Sequence, residues 1–139
     1  MSLEWKHFTV ETVKTFHAHV LSVHGGGEGL RDVGLLESAV AAPQAFWGGE
    51  PMLTDPYEIA AAYLFYLCRN HPFVDGNKRV GLAACLTFLA VNDLWKADVL
   101  PVDQWEAFVF EVAASKLDRD QTTKRLKGLI KPAKRKIRK

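Results

Sequence analysis

Apolar residues recur along this chain at spacings of three and four, the period of helices that bury one face. Val10, Val13, Phe16, Val20 and Val23 form one such stripe, with Thr9 placed to cap it and Gly25-Gly26-Gly27 placed to end it. Leu35, Leu36, Ala39 and Val40 form a second, capped by Asp32 and stopped before Pro43. Asp55-Pro56-Tyr57-Glu58 carries three start signals: a capping side chain, a proline at the first helical position and a glutamate at the third. The helix it opens, to about Asn70, is almost wholly apolar, and so is the segment Leu82 to Leu94. Helices that are hydrophobic all round belong at the centre of a domain. Trp105, Phe108, Val109 and Val112 mark a fifth helix from about Val102 to Leu117; Leu126, Leu129 and Ile130 anchor a shorter sixth, capped by Asp120. Strand candidates are confined to Trp5–Phe8, an aromatic excursion over 43–54 readable as a small hairpin, and Lys96–Val99. The pattern predicts an all-α class, about six helices around a central buried pair, with minimal strand content.

Composition narrows this to one domain. A chain of 139 residues can bury a single core without disulfide or metal staples, and 48% apolar residues with four Trp and eight Phe exclude a disordered chain. The net charge of +2 is unevenly placed, because residues 131–139 hold six of the 18 Lys and Arg and no acid. Without that tail, twelve positive charges face the 16 acidic residues, a net of about −4. The body, residues 1–130, is therefore not a nucleic-acid binder by bulk charge, and only the tail carries that chemistry. The tail is expected to be disordered beyond Pro132. Cys68 and Cys85 both fall in apolar helical stretches and read as reduced, buried thiols. Glu4-Trp5-Lys6-His7 offers no apolar block for a signal peptide, and the longest apolar runs are broken by polar residues. A cytoplasmic protein with no membrane segment is expected.

One stretch concentrates the chemistry. Residues 71–81 read His-Pro-Phe-Val-Asp-Gly-Asn-Lys-Arg-Val-Gly, between the two most apolar helical segments. A turn opening a helix presents unpaired N–H groups and the positive end of the peptide dipole, which suits phosphate. Gly76 and Gly81 permit close approach of a ligand; Lys78 adds a point charge and Arg79 a bidentate fork. His71 at the lip is placed to take a hydroxyl proton, help typically worth about 10²–10⁴-fold. Asp75 suits Mg²⁺, which needs only one or two protein carboxylates, though it can equally cap the following helix. Asn77 reads as a phosphate contact or a cap, and Phe73 as an apolar anchor.

Other candidates carry less. Gly25-Gly26-Gly27-Glu28-Gly29 lacks the preceding strand and third-glycine spacing of a dinucleotide loop, so it reads as a flexible turn. His17 and His19, two apart on a helix, do not share a face and are expected to be solvated. Arg31-Asp32 reads mainly as a cap. Trp47 with Gly48-Gly49 reads either as a packed loop or as one that lays a partner's backbone beside the motif.

The segment from His71 to Arg79 resembles the signature of the Fic/Doc superfamily, His-x-Phe-x-(Asp/Glu)-Gly-Asn-x-Arg. Gly25-Gly26, Leu30-Arg31-Asp32, Leu35-Leu36-Glu37-Ser38-Ala39 and Lys116-Leu117-Asp118 extend the likeness to the Doc branch, the toxins of toxin–antitoxin pairs, over roughly residues 5–130. The resemblance implies a Fic/Doc-type helical bundle in which His71 activates a target hydroxyl and Asp75 holds Mg²⁺. Gly76, Asn77, Lys78 and Arg79 would then hold the phosphates of ATP, and Phe73 would anchor the loop.

Two positions separate this chain from the adenylylating Fic pattern, which has glycine where Lys78 stands and a second arginine where Leu82 stands. Both changes are shared with Doc, so the resemblance implies transfer of the γ-phosphoryl of ATP to a hydroxyl of a translation factor such as elongation factor Tu. Transfer of AMP is the alternative. Thr54 and Glu58 have the spacing of a Fic inhibitory helix, but Ile59 follows and Asp55-Pro56 accounts for the stretch as a cap. No built-in inhibitor is expected; a separate antitoxin, folding onto an exposed apolar groove, would silence the protein. A rival of another class is a catalytically silent binding module whose basic tail touches nucleic acid or an acidic protein.

Overall fold

The computed structural model describes residues 4–95 and 102–135, the last five as backbone only, together with the backbone of Val102 and Asp103. Six helices follow in order: α1 (Val10–His24), α2 (Val33–Ala41), α3 (Pro56–Asn70), α4 (Asn77–Val91), α5 (Val102–Ala113) and α6 (Arg119–Arg135). A 3₁₀ turn, Ala42–Gln44, and a small antiparallel hairpin, β1 (Phe46–Trp47) with β2 (Glu50–Pro51), fill the gap between α2 and α3. The chain is all-α, as the periodicity predicts. No helix among the described residues is long and apolar enough to cross a membrane.

Three N-caps read from the sequence form. The Thr9, Asp32 and Asp55 side chains accept from the backbone N–H of Thr12, Leu35 and Tyr57. The fourth differs. Asp118, not Asp120, caps α6: its carboxylate accepts from Gln121 N–H at 2.8 Å while the Gln121 side chain accepts from Asp118 N–H at 2.9 Å. A reciprocal pair satisfies two orphan donors at once, and Asp120 lacks such a partner.

Helix α3 is the centre, burying Ile59 through Leu64 together with Leu67 and Cys68. It packs against α2, α4, α5 and α6. Helix α4 closes on it through Ala84, Cys85, Phe88 and Leu89, while Leu82 and Leu86 stay half exposed on the other side. An aromatic knot of Phe8, Phe16, Tyr63 and Phe88, with Phe8 and Phe16 edge to face at 5.0 Å, ties the N-terminal segment to this pair.

Three boundaries differ from expectation. Trp5–Phe8 forms no strand; Lys6 pairs its backbone with the Asn92 side chain instead. The strand candidate Lys96–Val99 lies outside the described residues. Helix α5 ends at Ala113, short of Leu117, where Ser115 takes a positive φ. Helix α6 is longer than α5, not shorter: its backbone is helical to Arg135, and 136–139 lie outside the described residues. Lys, Arg and Ala are good helix formers, and cations suit a helix C-terminus.

Candidate active site

Residues 71–76 join the two central helices. His71 ends α3 in the left-handed region, φ 54° and ψ 53°, and Pro72 prevents the helix from continuing. Phe73 turns into the core, only 2% exposed. Gly76 precedes α4 at φ 80°, a backbone that side chains rarely adopt, and makes no side-chain cap. The motif thus straddles an element boundary: His71 to Gly76 form the turn, and Asn77 to Gly81 form the first turns of α4.

Among the described residues, five of the six carbonyls of this turn, all but that of Val74, have a protein donor. His71 O accepts from Arg31 Nε at 2.7 Å, and Pro72 O from the backbone N–H of Arg31 and Asp32 at 2.7 and 3.0 Å. Phe73 O accepts from the Asn77 amide at 2.9 Å, Asp75 O from His17 Nε2 at 2.9 Å, and Gly76 O from Val80 N–H at 2.9 Å. The N–H groups of Asn77, Lys78 and Arg79, by contrast, have no carbonyl before them in the helix. Most acceptors are consumed and donors remain, which is the chemistry of an anion cradle.

These donors adjoin an open cavity of about 920 Å³ between α1, α4 and α5. Its lining includes the polar residues His71, Asp75, Asn77, Lys78 and Arg79 with Gly76, and the apolar residues Val23, Leu82, Leu86, Val109 and Phe110. Trp105 is part of the α5 wall, its indole N–H buried without a partner among the described residues. Among the described residues no hydrogen bond or ion pair engages the His71 ring, the Lys78 ammonium or the Arg79 guanidinium. The Asp75 carboxylate accepts from Gly27 N–H at 3.1 Å and from Gly76 N–H at 2.8 Å. These two amide bonds, with Lys78 and Arg79 nearby, hold its pKa below the ordinary aspartate value, so it stays ionised. No group of three His, Cys, Asp or Glu side chains gathers to hold a metal among the described residues.

Several residues stand elsewhere than expected. His17 is not solvated: it is 6% exposed, stacked on Phe73 with ring centroids 3.9 Å apart, and bonded to the Asp75 carbonyl. Position 17 lies four after Val13 and three before Val20, the middle of the apolar stripe, and that spacing is the signal for its burial. His19 is exposed and lines the cavity. Asn77, 4% exposed, uses its carboxamide on Phe73, accepting from its N–H and donating to its carbonyl, so only its backbone N–H faces a ligand. Gly81 serves α3 rather than a ligand: a Cβ there would sit 3.1 Å from the Leu64 side chain and 3.2 Å from Cys68 Sγ. Arg31 does more than precede a cap, since its guanidinium reaches the carbonyls of Asn70 and His71. Trp47, 80% exposed on the hairpin, does not line the cavity. Glu58 pairs with Arg119 at 3.6 Å.

Comparison with known proteins agrees with this geometry. The Fic/DOC family model matches residues 7–89, from the segment before α1 to the end of the buried part of α4. The chain is also 42% identical over 113 residues to the Toxin Doc of Mycolicibacterium smegmatis, a match covering 81% of this chain and 87% of that protein. The motif turn, its cradle of donors and both comparisons lead to one assignment: the chain belongs to the Fic/DOC family.

Proposed function

We propose that this protein is the toxin of a toxin–antitoxin pair and that its cavity transfers the γ-phosphoryl group of ATP to a hydroxyl of a translation factor. The observation that carries the reading is the division of labour in the turn. All of its carbonyls but that of Val74 are bound to the protein, while the N–H groups of Asn77, Lys78 and Arg79 and two cations without a partner among the described residues line the cavity. Anionic, acceptor-rich groups such as phosphates fit such a surface, and cationic or donor-rich ligands do not. His71, which lines the same cavity and whose ring has no partner among the described residues, takes the proton of the target hydroxyl as the oxygen attacks the γ-phosphorus. The bond to the β–γ bridging oxygen breaks, and ADP leaves.

The residues present also fit Mg²⁺. Asp75 is ionised and lines the cavity, and one carboxylate suffices for an ion that takes its other oxygens from phosphate and water. Asp75 would hold it, and its charge would offset that of the phosphates. Elongation factor Tu is the proposed target class by likeness to the Doc branch. Lys78 and Leu82, standing where the adenylylating pattern has glycine and arginine, favour phosphoryl over AMP transfer.

The apolar part of the cavity lining supports an antitoxin. Val23 and Phe110 are each 60% exposed beside half-buried Leu82 and Leu86, a groove suited to the apolar face of a segment that folds on binding.

Incubation of the protein with γ-labelled or α-labelled ATP and a bacterial lysate tests the reading. Label on a protein from the γ position alone is expected. Label from the α position makes the protein an adenylyltransferase, and no label from either makes it a silent binding module.

A further inference from the structure

We propose that Arg31 is a positioning residue for His71, an inference that rests on His71 being the base of the proposed reaction. Arg31 stands 40 residues before His71 and does not line the cavity. Its guanidinium spans the end of α3, donating from Nε to His71 O at 2.7 Å and from Nη2 to Asn70 O at 3.0 Å. These are the last carbonyls of the helix, the negative end of its dipole, and a planar cationic fork satisfies two of them at once.

His71 needs such support. Its φ of 54° lies where non-glycine residues are uncommon, and a following proline further restricts the backbone before it. The segment around Arg31 braces the rest of the turn through backbone alone: Arg31 and Asp32 N–H on Pro72 O, and Val74 N–H on Gly29 O at 3.0 Å. Leu30 and Phe73 pair as an antiparallel bridge there. Among the described residues, only the Arg31 side chain reaches the His71 carbonyl. Because backbone dihedrals decide which rotamers a side chain takes, the guanidinium sets where the imidazole points.

The test uses the full chain with histidine rings isotopically labelled, comparing the parent with Arg31→Ala, Arg31→Lys and Arg69→Ala. Arg69 is a control on the same helix, its guanidinium lying over Phe65. In Arg31→Ala the His71 ring signal is expected to move or broaden while those of His7, His19 and His24 stay. Transfer from γ-labelled ATP at saturation is expected to fall by about 10²-fold, the scale of a misplaced catalytic group. The ATP concentration for half-maximal rate should change less than about threefold, since the phosphate cradle is untouched. Arg31→Lys, which keeps the charge but not the fork, should fall between in both readouts, and Arg69→Ala should match the parent.

A His71 signal unmoved in Arg31→Ala overturns the proposal, whether or not transfer falls. If the parent transfers no label, the reading of the reaction fails separately. The ring signals then still decide whether Arg31 places His71.

Discussion

The imidazole of His17 lies flat on the ring of Phe73, planes within 7° and centroids 3.9 Å apart, and its Nε2–H donates to the carbonyl of Asp75. One side chain of α1 therefore holds both the anchor of the motif turn and the backbone of its carboxylate residue. The hydrogen bond fixes the tautomer, with the proton on Nε2. Replacing His17 by Phe keeps a ring on Phe73 but leaves the Asp75 carbonyl unpaired, which should lower stability by about 1–3 kcal/mol. Urea denaturation measures this. A variant as stable as the parent would show that the bond contributes nothing.

Asp75 carries a pH dependence whose sign follows from its partners. The Gly27 and Gly76 amides, then Lys78 and Arg79, depress its folded pKa, so it contributes stability above the unfolded value and loses it as pH falls through the folded one. The stability gap between the parent and Asp75→Asn should be present at pH 7 and should close below about pH 4, where unfolded carboxylates protonate. Denaturation at a series of pH values checks this; a gap independent of pH would show that the carboxylate charge is not involved.

Two glycines of the motif should fail for different reasons. Gly81→Ala pushes a Cβ to within 3.1–3.3 Å of Leu64 and Cys68 atoms, including the Leu64 carbonyl. Overpacking of this kind typically costs about 1–3 kcal/mol and should lower the melting temperature. Gly76→Ala meets only ordinary contacts with Val20 and His17, at 3.6–3.7 Å, so its cost is the left-handed backbone, about 1–2 kcal/mol. The distinguishing measurement is nucleotide binding at equal folded fraction: Gly76→Ala should weaken it, and Gly81→Ala should not.

Both cysteines should be inert in the folded protein. Burial pushes the Cys68 thiol up to about 12 and raises Cys85 further in the same direction, so neither offers a thiolate near neutral pH. Labelling with a thiol reagent at pH 8 should be slow and should track unfolding. Fast reaction under native conditions would show that the α3–α4 interface opens.

The elements legible in the sequence are those decided locally. Thr9, Asp32 and Asp55 cap helices because their partners lie two or three residues away, and the apolar density of α3 announces its central place. What the sequence hid is decided by distant partners. His17 meets Asp75 and Arg31 meets His71 only when α1 and the Gly29–Asp32 segment fold over the motif turn. Gly81 reads as a ligand contact until α3 arrives beside it. The Asn77 carboxamide reaches back only four residues, yet its target is the backbone of Phe73, and nothing in the composition distinguishes that from a phosphate contact. The motif residues line a single cavity; the division between residues that face it and residues that brace it came from the fold.

The central claim is that the turn between α3 and α4 grips the phosphates of a nucleotide and aims one of them at a hydroxyl beside His71. A crystal structure of the protein with a non-hydrolysable ATP analogue and Mg²⁺ tests it most directly. The account expects phosphate oxygens on the N–H groups of Asn77, Lys78 and Arg79, the ion on Asp75, and the γ-phosphate facing the His71 ring. An α-phosphate in that place would contradict phosphoryl transfer, and a nucleotide bound away from the turn would contradict the claim itself.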